Sequence, residues 1–260
     1  MRIIAGTICT ALLLGSAALA QSSPAAASTT QPSPIFVELF TSEGCSTCPP
    51  ADALLARIGQ VMPNAIVLEE HVTYWNQGGW IDPYSSDGWT SRQDDYKDHF
   101  HLNDVYTPQM VIDGRYQFVG SNGPAAQAAL RQADADPKIP LAITSVAQPD
   151  SGKVNFHLTA GAPPKKAELF VVAVQNSGVQ QVEAGENKGT KMQQAAIARS
   201  VRHVATLKPN QNFDGNVVLD LPHDKNVNGW HLVAFLQQGS GGPILGAASH
   251  SIDSVVAQAK

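Results

Sequence analysis

The chain has 260 residues, 17 Lys+Arg against 22 Asp+Glu, a formal net charge of −5 at neutral pH, and 43% hydrophobic residues. The acidic balance gives no general attraction for nucleic acid or for an anionic membrane, so any partner must be recognised locally. The length suits one large or two modest domains with an ordinary core.

The first twenty residues read as an export leader. Arg2 supplies the positive start, "IIAGTICTALLLGSAALA" the apolar stretch, and Ala18-Leu19-Ala20 small residues for cleavage after Ala20. The apolar run is diluted by Gly, Thr and Ser, and no basic stop-transfer flank follows, so no integral membrane segment is expected after cleavage. Removal of residues 1–20 takes away Cys9 and leaves Cys45 and Cys48 as the thiol pair of a secreted or periplasmic protein. In that setting two nearby cysteines tend to be oxidised, so a disulfide alone does not argue for catalysis.

Residues 21–34 hold Ser, Pro, Ala, Thr and Gln with almost no large apolar side chain, and are read as a flexible leader. "IFVELF" follows as a strand buried on both faces. "PADALLARIGQ" carries Ala53, Leu54, Ile58 and Val61 at helical spacing behind two prolines that suit a first turn. "AIVLEEHV" is a second strand, giving a βαβ unit. The long segment 73–103 holds three of the four tryptophans and three of the five tyrosines, with a helix expected over "SRQDDYKDHFHL". "VYTPQMVIDGRYQFVGS" predicts a hairpin turning at Asp113-Gly114, and "GPAAQAALRQADA" a helix. Beyond "DADPKIP", six short β-rich runs predict an antiparallel, sandwich-like part. The expected organisation is α/β, with a first domain over 35–137 and a β-rich C-terminal domain over 138–256.

Cys45 and Cys48 fall where the first strand passes into the helix. At that place helix-terminal N–H groups stabilise a thiolate, and a second sulfur three residues on resolves a mixed disulfide. Cys45 is read as the attacking sulfur and Cys48 as the resolving one. Pro49 and Pro50 argue that the helix starts after Cys48, since a proline keeps the preceding residue from helical geometry. A permanent staple and a metal clamp are the alternatives. So short a loop gains little from closure, and zinc lacks a second ligand pair, while Cu(I) needs only two thiolates and a neighbouring histidine.

A Cys-x-x-Cys pair beside βαβ is the thioredoxin-like signal. "VYTPQMVIDG" resembles the segment in which thioredoxin-like proteins carry a cis-proline facing the disulfide, which places Thr107 and Pro108 at the docking edge. Glu38 stands close to where such proteins keep a buried acid that takes the proton of the resolving thiol; a hydrogen-bonded structural acid is the competing reading. His71, at the end of the second strand, is a candidate for contact with the disulfide, a substrate or a metal. Tyr74, Trp75 and Trp80, with Asp82 and Tyr84, are candidates to line a pocket or to form a small core of their own. His99 and His101 read as part of a solvated charged face.

Together "VELFTSEGCSTCPPAD", "HVTYWNQGGWIDPY", "SRQDDY", "VYTPQMVIDG" and "EAGENKG" resemble the DUF1223 family of exported bacterial proteins, over about residues 35–248. The resemblance implies a thioredoxin-like domain with a long aromatic insertion and a further β-rich part, without an established activity. "GENKG" is read as a loop pressing on the first domain. No phosphate loop, Gly-x-Ser-x-Gly elbow or His-Glu-x-x-His pattern is present, and no cofactor is expected. The expected function is thiol-disulfide exchange with a protein or small thiol/disulfide partner; the alternative is a non-enzymatic binding module, for copper, another metal or a peptide, with a structural disulfide.

Overall fold

A computed structural model describes residues 33–150, 152–221 and 229–252, with the side chains of 148–150 left aside. The expected leader, residues 1–20, and nearly all of 21–34 lie outside the described residues. The described residues form one compact unit.

Strand β1 (Ile35–Thr41) is buried along its whole length, as its unbroken apolar run predicts. Helix α1 (Pro49–Val61) begins with the two prolines, and β2 (Ala65–His71) returns parallel to β1, so the βαβ unit is present. A short 3-10 turn (Tyr74–Gly78) leads to α2 (Asp87–His99), the helix expected inside the aromatic insertion. Strands β3 (Gln109–Ile112) and β4 (Tyr116–Val119) form the hairpin. Asp113 and Gly114 take the positive φ values, 51° and 60°, that a tight right-twisted hairpin turn demands. Helix α3 (Gly123–Ala135) follows, capped by Asn122, whose side-chain oxygen accepts from the Ala125 N–H at 3.1 Å.

The chain continues with β5 (Leu141–Asp150), β6 (Lys153–Ala160), β7 (Ala167–Gln181), β8 (Lys191–Leu207), β9 (Phe213–Asp220), β10 (Trp230–Gln237) and β11 (Ile244–Ile252). These do not stand apart from the βαβ unit. One mixed eight-stranded sheet runs β11-β10-β7-β8-β2-β1-β3-β4, and β8 joins β2 through the parallel pair Glu69–Ile197. A second, antiparallel sheet of β5, β6 and β9 covers one face of the β7–β10 region, with Phe156, Leu158, Leu169 and Leu232 in the shared core.

The two faces of β1 have different neighbours. Ile35, Val37 and Leu39 pack with Leu55 and Ile58 of α1 and Leu130 of α3. Phe36 packs with Trp89 of α2 and with Phe235 of β10, on the other side. The alternation therefore sends Glu38 away from α1. Among the described residues no helix is long and apolar enough to cross a membrane.

Candidate functional site

The chain leaves β1 at Thr41, crosses Ser42–Thr47 and enters α1 through Cys48, its N-cap. The helix starts after Cys48, as the prolines predict. Cys48 itself nevertheless takes helical angles, φ −79° and ψ −37°, against the expectation that Pro49 would forbid them. The N–H groups of Ala51 and Asp52 donate to the Cys48 carbonyl at 2.8 and 3.1 Å, which fixes that residue as part of the first turn. Cys45 and Cys48 are joined in a disulfide, with their Cα atoms 5.4 Å apart, and neither residue is exposed. The Cys45 sulfur lies 3.5 Å from the Thr47 hydroxyl.

The seal comes from far along the chain. Strands β7 and β8 extend beyond the sheet as an arm whose tip, residues 182–190, folds over the cysteine loop. Asn187 donates through Nδ2 to the carbonyl oxygens of Glu43 and Cys45, both at 2.9 Å. The Ser46 hydroxyl donates to Glu186 Oε2 at 2.5 Å. A side chain on Gly185, at φ +74°, would meet the Trp80 Cβ at 3.3 Å, so the tip approaches the aromatic insertion closely.

The strand ends and the loop that lead into the disulfide hold a group of buried acids around one histidine. Asp52, one turn along α1 from Cys48, is 5% exposed, and its Oδ1 accepts from the Thr41 hydroxyl at 2.7 Å. Burial, reinforced by the charge of Glu69 and only partly opposed by Thr41, pushes its carboxyl up to about 8, so it holds its proton at neutral pH. Glu69 is raised as well, chiefly by burial, although its Oε2 accepts from the Ala195 N–H at 3.0 Å. His71 Nδ1 stands 2.7 Å from Asp82 Oδ2, and Nε2 lies 3.8 Å from Glu69 Oε2. Burial works against its imidazolium, but Asp82 and Glu69 outweigh it and raise the histidine to about 10. Asp82 answers in the opposite sense: burial is overcome by His71 and by the N–H groups of Glu43 and Tyr84, and its carboxyl is lowered. Glu43 accepts from Trp80 Nε1 at 2.9 Å and is raised to about 7 by burial and by Asp82. Among the described residues no three His, Cys, Asp or Glu side chains are grouped to hold a metal ion.

A family model for DUF1223, a protein family of unknown function, matches residues 36–237. The chain belongs to the DUF1223 family. This DUF1223 chain is 26% identical to a protein from Agrobacterium tumefaciens solved as a structural-genomics target. The TM-score is 0.67, over 88% of this chain and 100% of that one. A domain of the outer membrane lipoprotein Omp28 from Porphyromonas gingivalis is 12% identical over 45% of this chain and 89% of its own, with a TM-score of 0.28 that carries no argument. No curated protein matches the DUF1223 chain.

In this DUF1223 protein the residues singled out by sequence separate into two groups. Thr107–Pro108 is a cis peptide bond. Pro108 lies beside α1: a Cβ on Gly120 would come within 3.1 Å of both the Pro108 Cβ and the Ala51 Cβ. Trp75 links that segment to the cysteine loop, donating from Nε1 to Thr107 Oγ1 at 2.7 Å and packing where a Gly44 side chain would stand. Trp80, His71 and Asp82 join the same group through Glu43. Tyr74 stands further off, donating to Gln93 Oε1 at 3.1 Å and packing on Phe40, Val72 and Tyr96 in the insertion's own small core.

Glu38 is not brought to the disulfide. It sits on the α2 face of β1, held by Arg92 Nε at 2.6 Å and by the Tyr96 hydroxyl at 2.5 Å, and Arg92 also bonds Gln237. The buried acid one helical turn from Cys48 is instead Asp52. Its sequence signal was only an acid in a first helical turn, which ordinarily complements the helix dipole at the surface. Neither that burial nor the contact of Asn187 with Cys45 has a local signature, because β8 and the arm tip impose both from more than a hundred residues away.

Proposed function

We propose that this protein is an exported, thioredoxin-like thiol-disulfide exchange protein whose Cys45–Cys48 pair cycles between disulfide and dithiol. The observation that carries the reading is the Cys45–Cys48 disulfide where β1 passes into α1, with a buried carboxyl, Asp52, one turn beyond Cys48 and without a salt bridge among the described residues. The leader expected at residues 1–20, the βαβ unit and the Pro108 segment beside α1 support it.

The chemistry runs as follows. A substrate thiolate attacks the Cys45 sulfur, the S–S bond breaks, and its electron pair leaves on Cys48. The Asp52 carboxyl gives that sulfur its proton, because a thiol with an ordinary value near 8.5 holds a proton that a carboxyl near 8 releases. A second substrate thiolate then attacks the substrate sulfur of the mixed disulfide and frees Cys45. Two electrons have passed to the protein, and the substrate leaves as a disulfide. When the protein instead reduces a substrate disulfide, the steps reverse and Asp52 takes the proton back.

Both cysteines are sealed in the closed form, so exchange requires either a displaced arm tip or a substrate small enough to enter beside it. Trapping tests the assignment of roles. Cys48→Ser should accumulate a mixed disulfide at Cys45 with a small-molecule disulfide, and Cys45→Ser should not; equal trapping by both rejects it.

A further inference from the structure

A cleft of about 630 Å3 opens between α1, from Pro49 just after Cys48 in the chain, and the base of the arm. Pro49, Asp52, Ala53 and Ala56 form one wall, and residues 177–179 and 190–195 form the other. The volume falls within the range of about 300–1,000 Å3 usual for small-molecule sites.

Two independent features indicate what the cleft takes. Gln194 lines it and is 3% exposed, yet neither its amide nitrogen nor its carbonyl oxygen has a hydrogen-bond partner among the described residues. A buried amide left unpaired is costly, so a group that brings both an acceptor and a donor gains by entering. The second feature is a strand edge. Ala195, opposite Ser177 on β7, turns its N–H away from β7 and donates to Glu69 Oε2. In an antiparallel ladder alternate residues face the same way, so Gln193 and Lys191 direct their main-chain N–H and C=O toward that same side. Among the described residues strand β8 pairs with β2 at Ile197 alone, and ahead of that point its edge carries no strand.

We propose that this cleft binds the main chain of a short, extended, cysteine-containing peptide, which adds to the free edge of β8 over Lys191–Gln194 and pairs with the Gln194 amide. The proposal rests on the exchange reading above for its substrate class: a small peptidyl thiol or disulfide, with Asp52 linking the cleft to Cys48. Four strand residues span about 13 Å, room for a peptide of roughly three or four residues. Strand addition supplies affinity through main-chain bonds and makes little demand on the peptide's side chains.

The test uses the oxidised full chain and a probe that cannot exchange: the N-acetylated, C-amidated tripeptide Ala-Cys-Ala with its sulfur methylated, titrated by calorimetry. Saturable one-site binding is expected, weakened by roughly tenfold or more in Gln194→Leu, which removes the amide and keeps the bulk. Gln193→Pro removes an outward N–H without breaking the β7 ladder and should weaken binding comparably, with thermal unfolding retained. Absence of binding, or binding that both variants leave unchanged, overturns the assignment and makes Gln194 a water-filled site only. Exchange is followed in parallel with hydroxyethyl disulfide. Binding of the methylated peptide without any exchange would retain the cleft and reject the redox reading, whereas exchange with hydroxyethyl disulfide and no peptide binding would do the reverse.

Discussion

Asn187 donates a 2.9 Å hydrogen bond from its side chain to the carbonyl oxygen of Cys45, across 142 residues of sequence. The same amide holds the carbonyl of Glu43, so one side chain fastens the arm tip to the loop that carries the disulfide. Each such bond contributes about 0.5–1.5 kcal/mol net. Asn187→Ala should therefore shift the tip toward open forms and speed reduction of the disulfide by dithiothreitol by roughly 5–100-fold. Alkylation of the freed thiols followed by mass spectrometry reads the rate. An unchanged rate would mean that the tip does not control access.

In the proposed exchange, Asp52 sets the pH dependence. Its carboxyl is raised to about 8, so the proton offered to Cys48 is present below that value and lost above it. With the rate normalised to the attacking thiolate, reduction of the wild type should fall as pH rises through about 8, and Asp52→Asn should be slower by roughly 100-fold with no inflection there. The stability effect has its own sign. The folded value lies above the ordinary 3.8, so the folded state keeps a proton that the unfolded state releases, and stability falls as pH climbs from about 4 to about 8. Asp52→Asn should lack that fall in urea titrations. A variant that matched the wild type in both profiles would remove Asp52 from the mechanism.

His71 acts in the opposite direction. Its folded value of about 10 exceeds the ordinary 6.5, so its pairing with Asp82 stabilises fully below about 6.5 and is lost as pH rises through about 10. His71→Gln leaves a buried carboxylate without its cation, a change that costs about 3–5 kcal/mol. The stability gap between variant and wild type should be widest at pH 6 and narrow steadily toward pH 10. Denaturant unfolding at intermediate pH values measures it, and a gap that widened with pH would refute the pairing.

Glu38 and Arg92 are a structural pair. Glu38 is fully buried, and nearby Glu70, also buried, is raised well above its ordinary value by burial and by Glu38. Glu38→Gln should lower folding stability by about 3–5 kcal/mol, because it leaves the guanidinium without its main partner. The rate of disulfide exchange by the remaining folded protein should be unchanged. A loss of exchange greater than the loss of folded protein would restore Glu38 to the proton path.

These residues show how far the sequence could be read. The buried run of β1, the prolines opening α1, the Asp113–Gly114 turn and Pro124 in the first turn of α3 each obey a local rule and appear where that rule puts them, while α2 begins at Asp87, four residues ahead of the expected Ser91. The cis bond at Thr107–Pro108 was expected from the resemblance of that segment to the cis-proline loop of thioredoxin-like proteins, not from a local rule. The burial of Asp52 was not legible. Along the chain the acid seven residues before Cys45 draws attention because it stands inside an apolar strand, whereas the acid four residues after Cys48 reads as an ordinary first-turn acid. The choice between them is made by strand alternation, which turns Glu38 toward α2, and by β8, which closes over Asp52. The single β2–β8 register pair that brings the arm into place leaves no mark in either strand's own pattern.

A redox titration of the full chain, with the state of Cys45 and Cys48 read by alkylation, tests the exchange reading most directly. The account predicts a reversible two-electron couple between about −270 and −120 mV, the range of proteins that exchange disulfides. A pair that stays oxidised well below about −300 mV would contradict it and leave the disulfide as a fixed part of the fold.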